Sequence, residues 1–276
     1  MSDIKFGEVF LFCPANRPDR FLKAVQRSDR VILDLEDAVA PSEKKLAREA
    51  LYSHLPSLGE RLIVRVNAID SVWHNDDIEA LRQLRRHHGV STTIMLPKSC
   101  DISQLDELED FEVIALCETA SGIKNASALA SAPNCSALMW GGEDLIADIG
   151  GRSSRNASGK YYPLVEQARS TVLLAAAAEG VPAIDAVHID IADHDGLRRE
   201  TKQAVDIGFF GKACIHPSHV EIIHEAFEPS KNERQWARHV LEAIDVAQGG
   251  VATLGGRMID APLLKQAQRI LGAMSS

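Results

Sequence analysis

The sequence predicts an α/β protein, a (β/α)₈ TIM barrel with a C-terminal helical lid extension. Three observations carry that expectation. Eight short apolar runs alternate with longer stretches of helical periodicity, and strands that alternate with helices pair in parallel. Most of the runs are continuously apolar, as strands buried on both faces must be. The 276 residues hold one barrel of ~250 residues and a short remainder. A doubly wound open sheet would share the alternation; eight repeats point instead to closure.

In chain order the runs are Val9–Cys13, Val31–Leu35, Leu62–Val66, Thr93–Leu96, Val113–Cys117, Ala137–Trp140, Ala186–Ile189 and Ala213–Ile215. Ser42, after Pro41, is placed to cap a helix through Leu46 and Leu51, and Asp76 to cap one with Ile78, Leu81 and Leu84 on a single face. An Ala-rich helix runs from Leu164 to Glu179 and ends at Gly180 and Pro182. Helices over 195–205 and 218–226 complete the later units. The barrel then spans 1–228, and 229–276 is extra. That tail holds an amphipathic helix from Ser230 to Gln248, with Trp236, Val240, Leu241 and Ile244, then a Gly-rich stretch, then a helix from Pro262. A tail outside the eight units is either a packing appendage or a hinged lid.

Composition narrows the function classes. A net charge of −9 argues against a nucleic-acid surface. No apolar run reaches the ~20 residues of a membrane span. The N-terminus lacks the pattern of a secretion signal, and five scattered cysteines without C-x-x-C spacing suit reduced thiols and a cytoplasmic location. Neither a phosphate loop nor a dinucleotide fingerprint is present, because Ser154 stands where G-x-x-x-x-G-K needs glycine and the tail glycines follow no strand.

In this fold the chemistry lies where strands end. The ends read Pro14-Ala15-Asn16-Arg17, Asp34-Leu35-Glu36-Asp37, Arg65-Val66-Asn67, Pro97-Lys98, Glu118-Thr119, Gly141-Gly142-Glu143-Asp144, His188-Ile189-Asp190 and Lys212 through His216-Pro217. Any one of these acids could simply cap the next helix. So many on one rim repel each other unless a cation sits among them. Glu118 and Asp144 end adjacent strands and are the best metal pair; two carboxylates plus waters and substrate oxygens is how Mg²⁺ is held, whereas Zn²⁺ would call for histidines at ligand spacing. Arg65 is placed to grip a carboxylate in two parallel bonds, or to pair with Glu36 or Asp37. His216 could line the pocket, and a structural histidine is the simpler reading. The basic stretch Gly151–Tyr162 could bind a phosphate or carboxylate, and a solvated loop is the simpler reading.

The segments Leu11–Phe21, Val31–Val39, Val64–Asn67, Leu116–Ala120, Gly141–Leu145 and Gly211–Pro217 closely resemble, in order and spacing, the citrate lyase β-subunit-like members of the HpcH/HpaI aldolase superfamily. The resemblance covers nearly the whole chain. It implies a Mg²⁺-dependent (or Mn²⁺-dependent) carbon–carbon lyase that cleaves a 3-hydroxyacyl-CoA thioester of the citramalyl, citryl or malyl type into a 2-keto acid and acetyl-CoA or a close analogue. It further implies metal at Glu118 and Asp144, the substrate carboxylate on Arg65 with Glu118 beside it, and Glu36 and Asp37 behind them. CoA phosphates would lie near Arg17, Arg20 and Lys23. Gly256–Pro262 resembles a lid motif in which Asp260 enters the site of a neighbouring subunit as proton carrier, within a homotrimer or hexamer. The alternatives are an aldolase on a free hydroxy-keto acid, a malyl-CoA-type thioesterase, and a lyase subunit that needs an acyl carrier. Ala15, where glycine is common in that family, and Cys117, where Ile or Val is usual, are the departures.

Overall fold

The computed structural model describes residues 8–59, 61–247, 252–254 and 257–272. Eight parallel strands close into a barrel in sequence order: β1 (Glu8–Pro14), β2 (Arg30–Asp34), β3 (Leu62–Arg65), β4 (Thr93–Leu96), β5 (Val113–Cys117), β6 (Cys135–Trp140), β7 (Ala183–Asp185) and β8 (Gly211–Cys214). Around them run α1 (Pro18–Arg27), α2 (Lys44–Leu58), α3 (His74–His88), α4 (Ser103–Asp106), α5 (Ala120–Lys124), α6 (Ala126–Ala130), α7 (Gly142–Asp148), α8 (Pro163–Glu179), α9 (His194–Ile207) and α10 (His219–Phe227). The tail adds α11 (Lys231–Ala247), the short antiparallel pair β9 (Ala252–Leu254) and β10 (Arg257–Ile259), and α12 (Ala261–Gly272). Among the described residues no helix is long and apolar enough to cross a membrane.

Strand side chains alternate between two cores. Phe10, Ile32, Ile63, Met95, Ile114, Met139 and Ile184 fill the barrel. Their neighbours, among them Leu11, Val31, Leu33, Val64 and Leu138, face outward and pack under the helices. The same alternation sends Asp34, Arg65 and Glu118 inward at the strand ends, and turns Trp140, Asp185 and Lys212 outward. A third, smaller core joins Ala237 and Val240 of α11 to Ala267 of α12, with Trp236, Leu241 and Ile244 packed against it.

Seven of the eight expected strands match to within a residue or two. The seventh does not: the apolar run Ala186–Ile189 lies beyond the strand, which is Ala183–Asp185. Its pairing is anchored one residue earlier still, where the Leu138 amide donates to the Pro182 carbonyl at 2.9 Å. Two helix starts also move. Pro41–Glu43 forms a 3₁₀ turn and α2 begins at Lys44, with no side-chain cap from Ser42. Lys44 is buried and donates to the carbonyls of Leu35 and Glu36 and to Asn67 Oδ1, which ties the helix start to β2 and β3. Helix α3 begins at His74, so Asp76 falls in its first turn instead of capping it. There the buried Asp77 accepts from the backbone and side-chain amides of Asn67.

Candidate active site

A cavity of about 450 Å³ opens at the carboxyl ends of the strands, lined by Asp34, Asp37, Arg65, Glu118, Gly141, Glu143, Asp144 and Tyr161 on its polar side. Phe12, Leu116, Met139, Val187, Ile189 and Ile215 line the apolar side. One rim therefore gathers side chains from seven strands or the loops that follow them.

Register explains the first contact. Asp34 and Arg65 are cross-strand partners of β2 and β3, so their side chains meet inside the mouth. Arg65 Nε and Nη2 donate to the two Asp34 oxygens at 2.7 and 2.6 Å. Asp34 also accepts from the amides of Glu36 and Ala38, which folds the 34–38 loop over the cavity. Arg65 Nη1 is 3.2 Å from Glu36 Oε2 and 3.8 Å from Asp37 Oδ2. Burial opposes the guanidinium charge, and Asp34 more than compensates, raising its pKa. Arg65 is thus held rigid by acids while its guanidinium lies 5.0 Å from the Phe12 ring centre, at the cavity wall. The sequence offers Glu36 or Asp37 as its partner; the main one in the structure is Asp34. The in-register strand pairing that joins them cannot be seen in a linear pattern.

The second feature is an excess of acid. Glu118 is 3 % exposed. Its pKa is pushed up to about 8, first by burial and then by the neighbouring charge of Asp144. One of its oxygens, Oε1, accepts from the Lys98 amide at 3.0 Å. The other lies against Gly141, where a Cβ would come within 2.9 Å of it. Gly141 therefore leaves Glu118 room that any larger residue would take by displacing its side chain. Asp144 stands in the first turn of α7, with Gly141 at the N-cap position, so Asp144 does not cap this helix. Among the described residues no three His, Cys, Asp or Glu side chains gather about a metal-sized point. A divalent cation here would take two protein carboxylates and complete its shell from water and substrate, which is the habit of Mg²⁺. Two acids that line one cavity, one held back from ionising by the other's charge and by burial, fit that ion.

The structure brings Arg65, Glu118, Asp144 and Asp37 into one cavity, with Glu36 ion-paired immediately behind. It does not bring Arg17, Arg20, Lys23 or Asp260 there. Arg17 precedes α1, pairs with Asp19 at 2.9 Å, and like Arg20 and Lys23 is exposed. Asp260 is exposed and caps α12, its Oδ1 accepting from the Leu263 amide at 3.2 Å. Gly255 and Gly256 of the tail motif lie outside the described residues. His216 is exposed and hydrogen-bonds Ser218 Oγ through Nδ1.

A second buried charge cluster escaped sequence reading. Asp185 and Lys212 are cross-strand partners of β7 and β8, both almost fully buried on the outward face. Lys212 Nζ donates to Asp185 Oδ2 at 2.8 Å, Arg169 of α8 grips both Asp185 oxygens at 2.8 and 2.9 Å, and Trp140 Nε1 adds a bond at 2.8 Å. Glu200 of α9 joins them to Arg155 and to His188 Nδ1, 3.0 Å away. The Arg155 guanidinium lies 3.8 Å over the ring of Tyr161, a cavity-lining residue. The 151–162 stretch is thus an anchored loop whose central arginine side chain is largely buried, not a wholly solvated one.

The model of the HpcH/HpaI aldolase/citrate lyase family matches residues 8–217. The chain belongs to this family. Among HpcH/HpaI relatives, a citrate lyase subunit beta-like protein of Mycobacterium tuberculosis is 46% identical over 266 residues, covering 96% of this chain and 94% of the relative. A (3S)-malyl-CoA thioesterase of Cereibacter sphaeroides is 34% identical, covering 91% of this chain and 88% of the relative. The mitochondrial citramalyl-CoA lyase of Mus musculus is 33% identical, covering 96% and 85%. Of solved HpcH/HpaI structures, protein CitE of Mycobacterium tuberculosis in complex with magnesium, acetoacetate and coenzyme A superposes with a TM-score of 0.90 at 43% identity, covering 98% of this chain and 99% of the other. The closed barrel is thus the fold of the family, and the protein is an enzyme of the aldolase and lyase kind.

Proposed function

We propose that this protein is a Mg²⁺-dependent carbon–carbon lyase acting on a 3-hydroxyacyl-CoA thioester, with release of a 2-keto acid and acetyl-CoA or a close analogue. The observation that carries the reading is the Glu118–Asp144 acid pair facing Arg65 across one cavity. The magnesium, CoA and keto-acid ligands named for the structural relatives support it. Glu118 and Asp144 would hold the metal, which supplies Lewis-acid polarisation of the substrate's hydroxyl and carboxylate oxygens. Arg65, fixed by Asp34, orients the carboxylate and balances its charge. The apolar wall of Leu116, Met139 and Val187 keeps water from the reacting carbons and so protects the thioester. Asp260, supplied by a neighbouring subunit, would carry the proton to or from the acyl α-carbon. Arg17, Arg20 and Lys23 are accessible for the CoA phosphates.

Arg65 is the sole cation among the described residues that line the cavity, and half of the wall is apolar. This favours a hydroxy-acid end with one carboxylate and a methyl or hydrogen substituent, the citramalyl or malyl type, over the citryl type. The division into a catalytic barrel over 1–228 and a lid over 229–276 belongs to the same reading, as does assembly into trimers or hexamers that exchange lids. The separate α11–α12 core supports a tail that docks as a unit. Free, mostly buried cysteines suit a cytoplasmic setting.

The test is a panel of citramalyl-, malyl-, β-methylmalyl- and citryl-CoA, each with and without Mg²⁺, read by keto-acid release. Metal-dependent release with citramalyl- or malyl-CoA leading is expected, and no release from any thioester overturns the lyase reading. The 34% identical malyl-CoA thioesterase gives a second reading its footing; free malate with CoA, in place of glyoxylate with acetyl-CoA, would establish it.

A further inference from the structure

The backbone at Lys98 is in an unusual conformation. Among the described residues it is the one non-glycine with positive φ, at 52°. A side chain in that region crowds its own backbone, and such strain persists where surrounding structure imposes it. Here the imposition comes from both sides. The Ser99 amide donates to the Leu116 carbonyl of β5 at 3.1 Å and Ser99 Oγ to the Leu96 carbonyl at 2.8 Å. The Ser99 carbonyl lies only 2.3 Å from where a Cβ on Gly122 would stand, and Asn125 Nδ2 donates to the Cys100 carbonyl at 2.7 Å.

The turn has two outputs. It aims the Lys98 amide at Glu118 Oε1, 3.0 Å away. It also carries the ammonium to Glu36 Oε1 at 2.5 Å, and the other oxygen of Glu36 lies 3.2 Å from Arg65 Nη1. A half-exposed lysine in a loop is ordinarily a solvated surface residue. Glycine would satisfy this backbone without strain, so the turn alone does not call for lysine; the bond to a carboxylate buried among charges does. Resting on the metal and clamp assignments above, we propose that Lys98 is a positioning residue with two separable parts. Its amide pins one oxygen of Glu118 and so sets the orientation of that carboxylate beside Asp144. Its ammonium fixes Glu36 behind the arginine that receives the substrate carboxylate.

Four variants separate these parts. Lys98→Gly and Lys98→Met remove the ammonium, and the glycine variant keeps the turn. Lys98→Val brings a β-branched side chain that resists positive φ. Lys98→Arg keeps a cation. Mg²⁺ affinity is read by calorimetry on the protein without substrate, and KM and kcat by keto-acid release. With the loss confined to ground-state binding, Lys98→Gly and Lys98→Met should raise KM about tenfold while kcat stays within about threefold, and Lys98→Arg should restore most of it. Mg²⁺ affinity should hold within about threefold in Lys98→Gly and fall about tenfold or more in Lys98→Val, because only the latter moves a group that orients a metal-binding carboxylate. Unchanged KM in both Lys98→Gly and Lys98→Met overturns the ammonium role, and unchanged Mg²⁺ affinity in a folded Lys98→Val overturns the amide role. Should Lys98→Val fail to fold, Lys98→Gly, Lys98→Met and Lys98→Arg still decide the ammonium role. Glu118→Gln is the control for the underlying assignment: if it binds Mg²⁺ as well as the parent protein, the metal site has been misplaced, whatever Lys98 does.

Discussion

Two buried charge clusters are built on opposite faces of the same sheet, and they carry opposite balances. At the mouth, facing inward, the carboxylates of Asp34, Glu36, Asp37, Glu118 and Asp144 outnumber the cations Arg65 and Lys98. Behind β7 and β8, facing outward, Arg155, Arg169 and Lys212 outnumber Asp185 and Glu200. Both start from an in-register pair, Asp34 with Arg65 and Asp185 with Lys212. They differ in what burial does to the acid. Burial and Asp144 push Glu118 up to about 8. Burial would raise Asp185 too, but Lys212 and Arg169 override it and hold that carboxyl down at about 2. The outward cluster balances its acids with cations of the chain itself. The inward one lacks positive charge, and a bound cation would supply it.

The sharpest break of this contrast is Asp144→Ala or Glu118→Gln. Either should lower kcat/KM by about 10³-fold or more, the scale of losing a metal's Lewis acidity, with far-UV circular dichroism unchanged. Near-parental turnover would refute the metal pair. The matching change in the outward cluster is Lys212→Met. It strands a buried carboxylate and should cost about 3–5 kcal/mol in urea unfolding, the usual toll of breaking such a pair; a loss under about 1 kcal/mol would show that Arg169 alone suffices.

A smaller effect should follow from Gly141→Ala. Its methyl would meet Glu118 Cβ and Oε2 at 2.9 Å, so Mg²⁺ binding by calorimetry should weaken about tenfold with little change in melting temperature, as expected when a ligand is displaced but kept.

The mildest test is pH. A carboxyl raised in the folded state holds its proton where the unfolded chain has lost it. Metal-free stability should therefore fall as pH climbs from about 4.5 to about 8 and then level off. Mg²⁺ displaces that proton, so its affinity should rise over the same interval. Asp185, lowered instead, contributes stability above its ordinary value of 3.8 that disappears only as pH falls toward about 2. Calorimetric melts with and without Mg²⁺ from pH 3 to 9 read both. A Mg²⁺ affinity flat between pH 5 and 8 would contradict the raised Glu118.

The inward cluster was largely legible in the sequence, because TIM-barrel chemistry sits at strand ends and the ends of β2, β3, β5 and β6 are marked by charge following apolar runs. Asp34 was visible only as a possible cap, since its role depends on which residue of β3 stands opposite. The outward cluster stayed hidden for a related reason. Gly180 and Pro182 read as the end of α8 and the apolar run Ala186–Ile189 reads as the strand, which leaves Asp185 outside it. Lys212, placed at a strand end by pattern, is inside β8 and fully buried. Ion pairs that span 16 and 27 residues leave no periodic trace. The tail core of α11 and α12 was readable from its apolar face. Where that tail would dock in an assembly depends on surfaces far apart in sequence, and no spacing within one chain encodes it.

The Asp185–Lys212 pair also bears on how the chain closes. Strand β8 is the last of the barrel strands to be synthesised and must join both β7 and β1. Until residue 212 leaves the ribosome, a nearly finished sheet would bury Asp185 against Arg169 without its second cation. Delivery of that lysine and sealing of the cylinder are then one event, and a chain truncated a few residues short would be left open at the seam between first and last strands.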